Sequence, residues 1–341
     1  MADQRCVRMV RIWKYTLITL RLVRIVNLLL IAATQYALRF FILKPSIAVN
    51  NETFRVSSFR LQLSELDFFM VVMATVLIAA GGYVINDYFD RKTDLINRPG
   101  QVLVGRLIKR RYAMAMHVIF TVTGILIGTI VSLKTGLTYN IVVFAGISGM
   151  LWFYSTTFKR QLFIGNLVIA ILVAFVPLII LSFEFPLLIE EYKYYILAAE
   201  TNLGFMRSWL LGYAGFAFLI TLIREIVKDM EDFEGDYVFG RQSVPIVLGM
   251  KAAKVIVLFL TFVLLLAIYL VYWYFISDYI TLTYLSIFIA LPLLVMAGFL
   301  VSARTQKIYH RLSLLLKGVM FSGLFYCLVV FFIVKNYEKL L

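Results

Sequence analysis

Two short segments of the sequence carry aspartates at a spacing suited to metal binding. The segments are NDYFDRKTD at 86–94 and KDMEDFEGD at 228–236. Their aspartates follow one another at intervals of three and then four residues: Asp87, Asp90 and Asp94, and Asp229, Asp232 and Asp236. At 3.6 residues per turn, each trio covers an arc of about 60° over roughly 10 Å of helix. Each segment is therefore predicted to present one stripe of carboxylates if its helix continues, which Gly235 makes less certain in the second segment.

Carboxylates this close together need a cation. Three of them on one helix face repel one another, and the C-terminal end of a helix disfavours anions further. Mg²⁺ offsets such repulsion, since it joins a few carboxylates and waters to the phosphates of a substrate. Two such stripes facing each other would hold a pair of Mg²⁺ ions with a diphosphate between them. Solvated loop charges are the alternative explanation for one cluster, but they do not account for two clusters of matched spacing.

Each aspartate segment is followed by an arginine and a proline. Arg98 and Pro99 lie in NRPG, and Arg241 and Pro245 lie in GRQSVP. Arginine presents a planar fork of donors that can bind two phosphate oxygens at once. Arg98 and Arg241 are therefore candidates to bind the diphosphate, and arginines that only set membrane topology are the alternative.

The elements that must position these residues are hydrophobic helices. The chain has 341 residues, of which 62% are apolar and 15% charged, whereas about a quarter of a soluble protein is charged. Apolar runs of about twenty residues recur along it, each long enough to cross ~30 Å of hydrocarbon. The net charge of +14 lies between these runs, where the positive-inside rule explains it without a nucleic-acid partner. The predicted fold class is all-α, a polytopic protein integral to the lipid bilayer.

Nine transmembrane helices are predicted in a single domain spanning 1–341. Their approximate bounds are 20–43, 66–90, 111–133, 138–158, 162–183, 205–228, 252–274, 279–302 and 313–334. The aspartate segments end the second and the sixth, which indicates two four-helix halves (about 20–158 and 162–302) around a central cavity, with one extra helix. With the N-terminus inside, 24 of the 33 basic residues lie at inner ends. The N-terminus and both segments are therefore predicted to be cytoplasmic, in the inner or plasma membrane of the cell.

The two segments resemble the signatures of a known family, the UbiA-type intramembrane prenyltransferases. NDYFDRKTD followed by NRP is similar to the first signature, and REIVKDMEDFEGD followed by GRQSVPIVLG is similar to the second. The resemblance implies Mg²⁺-dependent transfer of a prenyl group from a polyprenyl diphosphate to a lipophilic acceptor. It implies a catalytic centre formed by all six aspartates. Metal and diphosphate would be coordinated by Asn86, Asp90, Asp94, Asp232 and Asp236. Asp87 and Asp229 would be additional ligands or would contact and support the ligands.

A third segment, FYSTTFKRQLFIGN, is similar to a family segment that carries a tyrosine, a lysine and a Gly-Asn pair. The resemblance makes Tyr154 and Lys159 candidates to contact the diphosphate or to shield the reacting carbon. A lysine that sets topology beside an interfacial tyrosine is the alternative. No general base stands out, because a salt bridge with Arg224 or Lys228 is the simpler role for Glu225.

The second signature most resembles that of enzymes that transfer geranylgeranyl to geranylgeranylglyceryl phosphate. Aromatic-acceptor enzymes of quinone, tocopherol or chlorophyll-type biosynthesis remain an alternative, since some carry a similar motif. A cation-coupled transporter is the alternative of another class. It predicts charges near the middle of the bilayer, whereas this chain keeps its acids at the ends of the predicted spans.

Overall fold

Long apolar segments form helices in lipid, because a helix satisfies all of its own backbone hydrogen bonds. The computed structural model describes residues 13, 15–53, 59–100, 102–198 and 203–338. These residues form helices and no strand, which confirms the all-α class. The helices are α1 (Ile25–Ala48), α2 (Glu65–Asn97), α3 (Arg110–Lys134), α4 (Tyr139–Thr156), α5 (Ile164–Ala198), α6 (Gly204–Glu231), α7 (Phe233–Val238), α8 (Gly249–Ile276), α9 (Tyr279–Ser302) and α10 (Gln306–Glu338).

A helix lies at each of the nine predicted spans, and eight helices in the described part of the chain are long and apolar enough to cross a membrane. Among the helices at the nine predicted spans, the one outside those eight is α4, with 18 residues. Its two ends are polar, with Asn140 near the start and Ser155 and Thr156 at the end. Its length is about 27 Å, slightly less than the ~30 Å of a typical hydrocarbon core. The largest difference in bounds is at α5, which continues to Ala198 rather than ending near residue 183. Helix α2 also continues, to Asn97 rather than ending near residue 90.

The chain divides into two compact units. The first contains 1–33 and 66–157, with a helical segment at 15–22 and the helices α2, α3 and α4. In this unit α2 packs closely on α3 through glycine. A Cβ atom on Gly124 would lie 2.8 Å from the side chain of Ile78 and 3.0 Å from the carbonyl oxygen of Ala74. Such an approach holds α2, the helix that carries the first aspartate segment, against its neighbour.

The second unit contains 34–65 and 158–341. Its core is formed by apolar side chains of α6, α8, α9 and α10, which include the fully buried Ile223, Val257, Leu293 and Leu316. Helix α6 packs against α5, α8 and α10. The second aspartate segment begins at the end of α6, so its first residues are held by a helix that packs against three others.

A buried ion pair joins α1 to α5 within the second unit. Arg39 and Glu184 are each only 1% exposed, and the Arg39 guanidinium donates a hydrogen bond to the Glu184 carboxylate. Arg39 also donates to the Leu63 carbonyl at 2.6 Å, and Glu184 accepts from the Gln62 N–H at 3.1 Å. Both charges thus have several partners, which is the condition under which buried ion pairs are tolerated.

Candidate active site

The first aspartate segment lies entirely on one continuous helix. Because α2 runs to Asn97 without interruption, Asp87, Asp90 and Asp94 keep the helical spacing predicted from the sequence. Asp90 is 4% exposed, and Asn86 donates a hydrogen bond from Nδ2 to its carboxylate at 2.7 Å. Asp94 is half-buried, and its carbonyl accepts from the Arg98 N–H at 2.8 Å. The amide of Asn86 therefore orients the most buried carboxylate of the segment.

Asp87 has a basic partner that sequence reasoning missed. The guanidinium of Arg24 lies 2.8 Å from its carboxylate and 5.0 Å from the centre of the Tyr83 ring. Arg24 has a positive φ of 52°, at the break between the helical segment 15–22 and α1. The break turns this arginine out of a regular helix. Asp87 is thus held in place by an ion pair, and its predicted part in catalysis remains a prediction.

The second aspartate segment does not form one regular helix. Helix α6 ends at Glu231, Asp232 has φ −91° and ψ 10°, and the short helix α7 begins at the next residue. The hydrogen bonds to the fourth residue back nevertheless continue, from the Asp232 N–H to Lys228 at 2.9 Å and from the Asp236 N–H to Asp232 at 3.1 Å. The carboxylates therefore follow a bent helical path rather than the straight stripe expected from the spacing. The bend lies three residues before Gly235, the residue that made helix persistence uncertain.

Asp229 is bound by an asparagine from another helix of the same unit. Asn166, near the start of α5, donates from Nδ2 to the Asp229 carboxylate at 2.8 Å. The connection before α5 is also joined to the connection after α7, since the Gln242 N–H donates to the Arg160 carbonyl at 3.1 Å. Asn166 belongs to the Gly-Asn pair of the third segment, so the sequence contained a signal for it, although it was not among the predicted site residues.

Asp236 is nearly buried and paired with an arginine. Its side chain is 5% exposed, and Arg241, 12% exposed, lies 3.2 Å from the carboxylate. The turn between them requires Gly240, which has a φ of +64°. The arginine predicted to bind diphosphate thus lies beside a predicted metal ligand. On α6, Glu225 forms the predicted ion pairs, at 2.8 Å from Arg224 and 3.7 Å from Lys228.

The remaining candidates lie at the ends of helices. Tyr154 is buried at the end of α4 in the first unit, and Arg98 is half-buried just after α2. Lys159 belongs to the second unit and is half-buried in the turn Phe158–Arg160. A Cβ atom on Gly165 would lie 3.0 Å from the Cα of Lys159, so the glycine lets the start of α5 approach this turn. Their predicted roles at the diphosphate remain predictions.

The residues that form these contacts in the first half are related to those in the second half by a constant offset of 142 residues. It takes Arg24 to Asn166, and it takes each aspartate of the first segment to the matching aspartate of the second. In both units the first aspartate is held by a side chain 63 residues earlier. The partner lies next to the start of a helix, one residue before α1 in the case of Arg24 and two residues after the first residue of α5 in the case of Asn166. The first aspartate of each segment is thus held in a similar way, and the duplication into two four-helix halves remains a prediction.

The donors of both segments suit a hard cation. They are carboxylate and amide oxygens, and two of the carboxylates, those of Asp90 and Asp236, are almost completely buried. Within the described residues, no group of three or more Asp, Glu, His or Cys side chains forms a ready-made metal site. Mg²⁺ usually takes one or two carboxylates and completes its octahedron with water and substrate phosphates. The residues therefore fit an ion that binds together with a diphosphate.

Comparison with known proteins defines the class. The model of the UbiA prenyltransferase family matches residues 56–326, and the chain belongs to that family. The protein is thus an integral membrane prenyltransferase.

One relative of known name and two solved structures are similar to this chain over most of its length. Digeranylgeranylglyceryl phosphate synthase of Methanosphaera stadtmanae is 34% identical over 245 residues, which cover 71% of this chain and 80% of the relative. A solved structure concerned with digeranylgeranylglyceryl phosphate synthase in membranes is similar at a TM-score of 0.60 and 22% identity, covering 93% of this chain and 99% of that one. A UbiA homologue from Archaeoglobus fulgidus bound to GPP and Mg²⁺ has a TM-score of 0.54 at 18% identity, with 92% and 99% covered.

Proposed function

We propose that the protein transfers a geranylgeranyl group from geranylgeranyl diphosphate to geranylgeranylglyceryl phosphate in membrane lipid biosynthesis. The observation that carries this proposal is the 34% identity, over most of both chains, to a digeranylgeranylglyceryl phosphate synthase. The ether oxygen of the product comes from the acceptor hydroxyl. A carbon–oxygen bond to the first prenyl carbon forms, the bond from that carbon to the diphosphate breaks, and the hydroxyl proton is accepted by the released diphosphate or by water.

The aspartate segments would bind the leaving group through metal ions. Mg²⁺, bound by a structural homologue together with GPP, would neutralise the negative charge that grows on the diphosphate oxygens. Asn86, Asp90, Asp94, Asp232 and Asp236 would hold the metal, with two ions as the sequence suggests. Support comes from the burial of Asp90 and Asp236 and from the hydrogen bond that orients Asp90.

Basic and amide groups would complete the site. Arg241 lies beside Asp236 at 3.2 Å, where it can donate to diphosphate oxygens as well as to the carboxylate. Arg98, Tyr154 and Lys159 would contribute further contacts to the diphosphate. Arg24 and Asn166 fix the first aspartate of each segment, which limits how far the neighbouring ligands can move.

The site would face the cytoplasm. The support is the distribution of basic residues, 24 of 33 of which lie at the ends of spans on the side of the aspartate segments. A charge bias of this kind sets the orientation of membrane proteins. The diphosphate donor is a charged, water-soluble head on a lipid tail, and it would enter from that side.

A competition among acceptors tests the proposal. Purified protein is incubated with Mg²⁺, geranylgeranyl diphosphate and equal amounts of geranylgeranylglyceryl phosphate and prenylatable aromatic acids, and the products are identified by mass spectrometry. We expect the digeranylgeranyl ether of glyceryl phosphate as the main product. A prenylated aromatic acid in its place would support the quinone-type alternative and overturn the proposed acceptor. Donors of shorter chain length in parallel reactions establish the tail preference.

A further inference from the structure

A basic pair lies on α6 just before the second aspartate segment. Arg224 and Lys228 are one turn apart, and their side chains are only 26% and 21% exposed. Glu225 is close to both, at 2.8 Å from Arg224 and 3.7 Å from Lys228. Two partly buried cations therefore share this glutamate, near the end of a helix long and apolar enough to cross a membrane. Ionisable groups in such places commonly belong to a binding site.

Arg224 has a donor available for a ligand. Its Nε atom is buried, and no atom of the described residues accepts a hydrogen bond from it. A buried donor without an acceptor costs folding free energy, and an anion that accepted this hydrogen bond would remove the cost. The guanidinium can donate to such an anion from Nε while its Nη1 still donates to Glu225.

The basic pair is absent from the first half of the sequence. The shift of 142 residues that matches the aspartates takes Arg224 back to Gly82 and Lys228 back to Asn86. Features present in both halves serve what both halves bind, the metal ions and the diphosphate. A feature present in one half only is suited to binding a chemical group that only one of the two substrates carries.

We propose that Arg224 and Lys228 bind the phosphate of the acceptor, an inference that rests on the proposed function. Along a helix, Lys228 lies about 6 Å and Arg224 about 12 Å before Asp232. The basic pair is therefore near the predicted metal ligand but separate from it. In the acceptor, the phosphate and the reacting hydroxyl are on neighbouring glycerol carbons. An anion at the basic pair would thus keep the hydroxyl close to the prenyl carbon.

Steady-state kinetics with two acceptors tests this assignment. The acceptors are geranylgeranylglyceryl phosphate and geranylgeranylglycerol, which lacks the phosphate. In the wild type, removal of the phosphate should lower kcat/KM by about 10-fold to 100-fold, the range expected for a hydrogen bond between charged groups. Arg224→Gln and Lys228→Gln should raise the KM of the phosphorylated acceptor to a similar extent and leave the KM of the donor within about twofold. With geranylgeranylglycerol, the variants and the wild type should be alike.

Arg207→Gln is the matched control, because Arg207 is exposed near the start of the same helix, and it should behave as the wild type. A raised donor KM in the Arg224 or Lys228 variants would assign the pair to the diphosphate and overturn the inference. Unchanged KM values for both substrates would overturn it as well. If Arg224→Gln does not fold, the comparison of acceptors on the wild type decides, since an equal kcat/KM for both acceptors contradicts any phosphate site. No product from the phosphorylated acceptor with the wild type would instead refute the proposed function itself.

Discussion

At the scale of single residues, the chemistry depends on carboxylates that are buried and oriented. Asp90 receives a hydrogen bond from Asn86, and Asp236 is paired with Arg241. The partner of Asp90 lies four residues away on the same helix and that of Asp236 five residues away across a turn, so both contacts are local in the sequence. The partners of Asp87 and Asp229 lie 63 residues away. Nothing in the local sequence connects Arg24 or Asn166 with an aspartate, so these contacts needed the structure.

Asp90→Asn and Asp232→Asn should each reduce turnover by at least about 100-fold, because the amide loses the charge that holds the metal. Prenyl transfer by the purified variants, at saturating donor, measures the effect. Glu234→Gln is the matched control, since Glu234 is an exposed acid of the same segment, and it should remain close to wild type. Near-normal turnover in both aspartate variants would contradict metal binding by these segments.

Asn166→Ala should weaken Mg²⁺ use, because Asp229 loses the amide that holds it. We expect the Mg²⁺ concentration needed for half-maximal activity to rise about tenfold, as is typical when a supporting partner of a metal site is removed. The double variant Asn166→Ala, Asp229→Asn should be no worse than Asp229→Asn alone, since the two side chains act through one contact. Additive losses in the double variant would mean that the hydrogen bond has no functional role.

At the scale of helices, sequence reasoning succeeded where apolar runs are long and continuous. All nine predicted spans coincide with helices. The predicted span at 66–90 ended too early, because hydropathy falls at the aspartates although the helix continues to Asn97. In the second segment the condition for a straight row of carboxylates, a continuous helix, is not met, because the backbone bends at Asp232. Hydropathy indicates which residues lie in lipid. It does not indicate where a polar helical turn, such as the one that contains Asp229, is stabilised by a partner such as Asn166.

The buried ion pair between α1 and α5 gives a prediction about stability. Glu184→Gln or Arg39→Met alone should destabilise the protein by about 3–5 kcal/mol, because each leaves a buried charge without its partner. The double variant Arg39→Met, Glu184→Met should be more stable than either single variant, since it removes both charges. The order of stability among these variants is measured by thermal unfolding in detergent, monitored as the loss of monodisperse protein. A double variant less stable than both single variants would contradict this account of the pair.

At the scale of the whole molecule, the sequence indicated the class because its features repeat. Matched aspartate segments and a family-wide pattern of spans predicted a membrane prenyltransferase, and the family match over residues 56–326 confirms it. The acceptor was predicted less directly, since one motif distinguishes the subgroups. The residues that would bind the acceptor phosphate do not form a motif that is repeated in the two halves of the sequence. The proposed contacts of this phosphate, Arg224 and Lys228, stand out only when the burial of their side chains and the unsatisfied Nε are known.

Orientation in the membrane gives a prediction of its own. A reporter domain fused after residue 100 should be located in the cytoplasm, because the connection between α2 and α3 carries several basic residues. A second reporter after residue 135, in the next connection, should be located outside and serves as the control. A reporter outside the cell after residue 100, together with one in the cytoplasm after residue 135, would contradict the predicted topology.

The most direct test of the account is a single reaction with and without metal. Purified protein, geranylgeranyl diphosphate and geranylgeranylglyceryl phosphate are combined with Mg²⁺, and product is followed by mass spectrometry. A parallel sample contains EDTA, to which Mg²⁺ is later added in excess. We expect that the digeranylgeranyl ether accumulates with Mg²⁺, that none forms with EDTA, and that formation starts when Mg²⁺ is restored. Equal product formation in EDTA, or no ether product in any sample, would contradict this expectation.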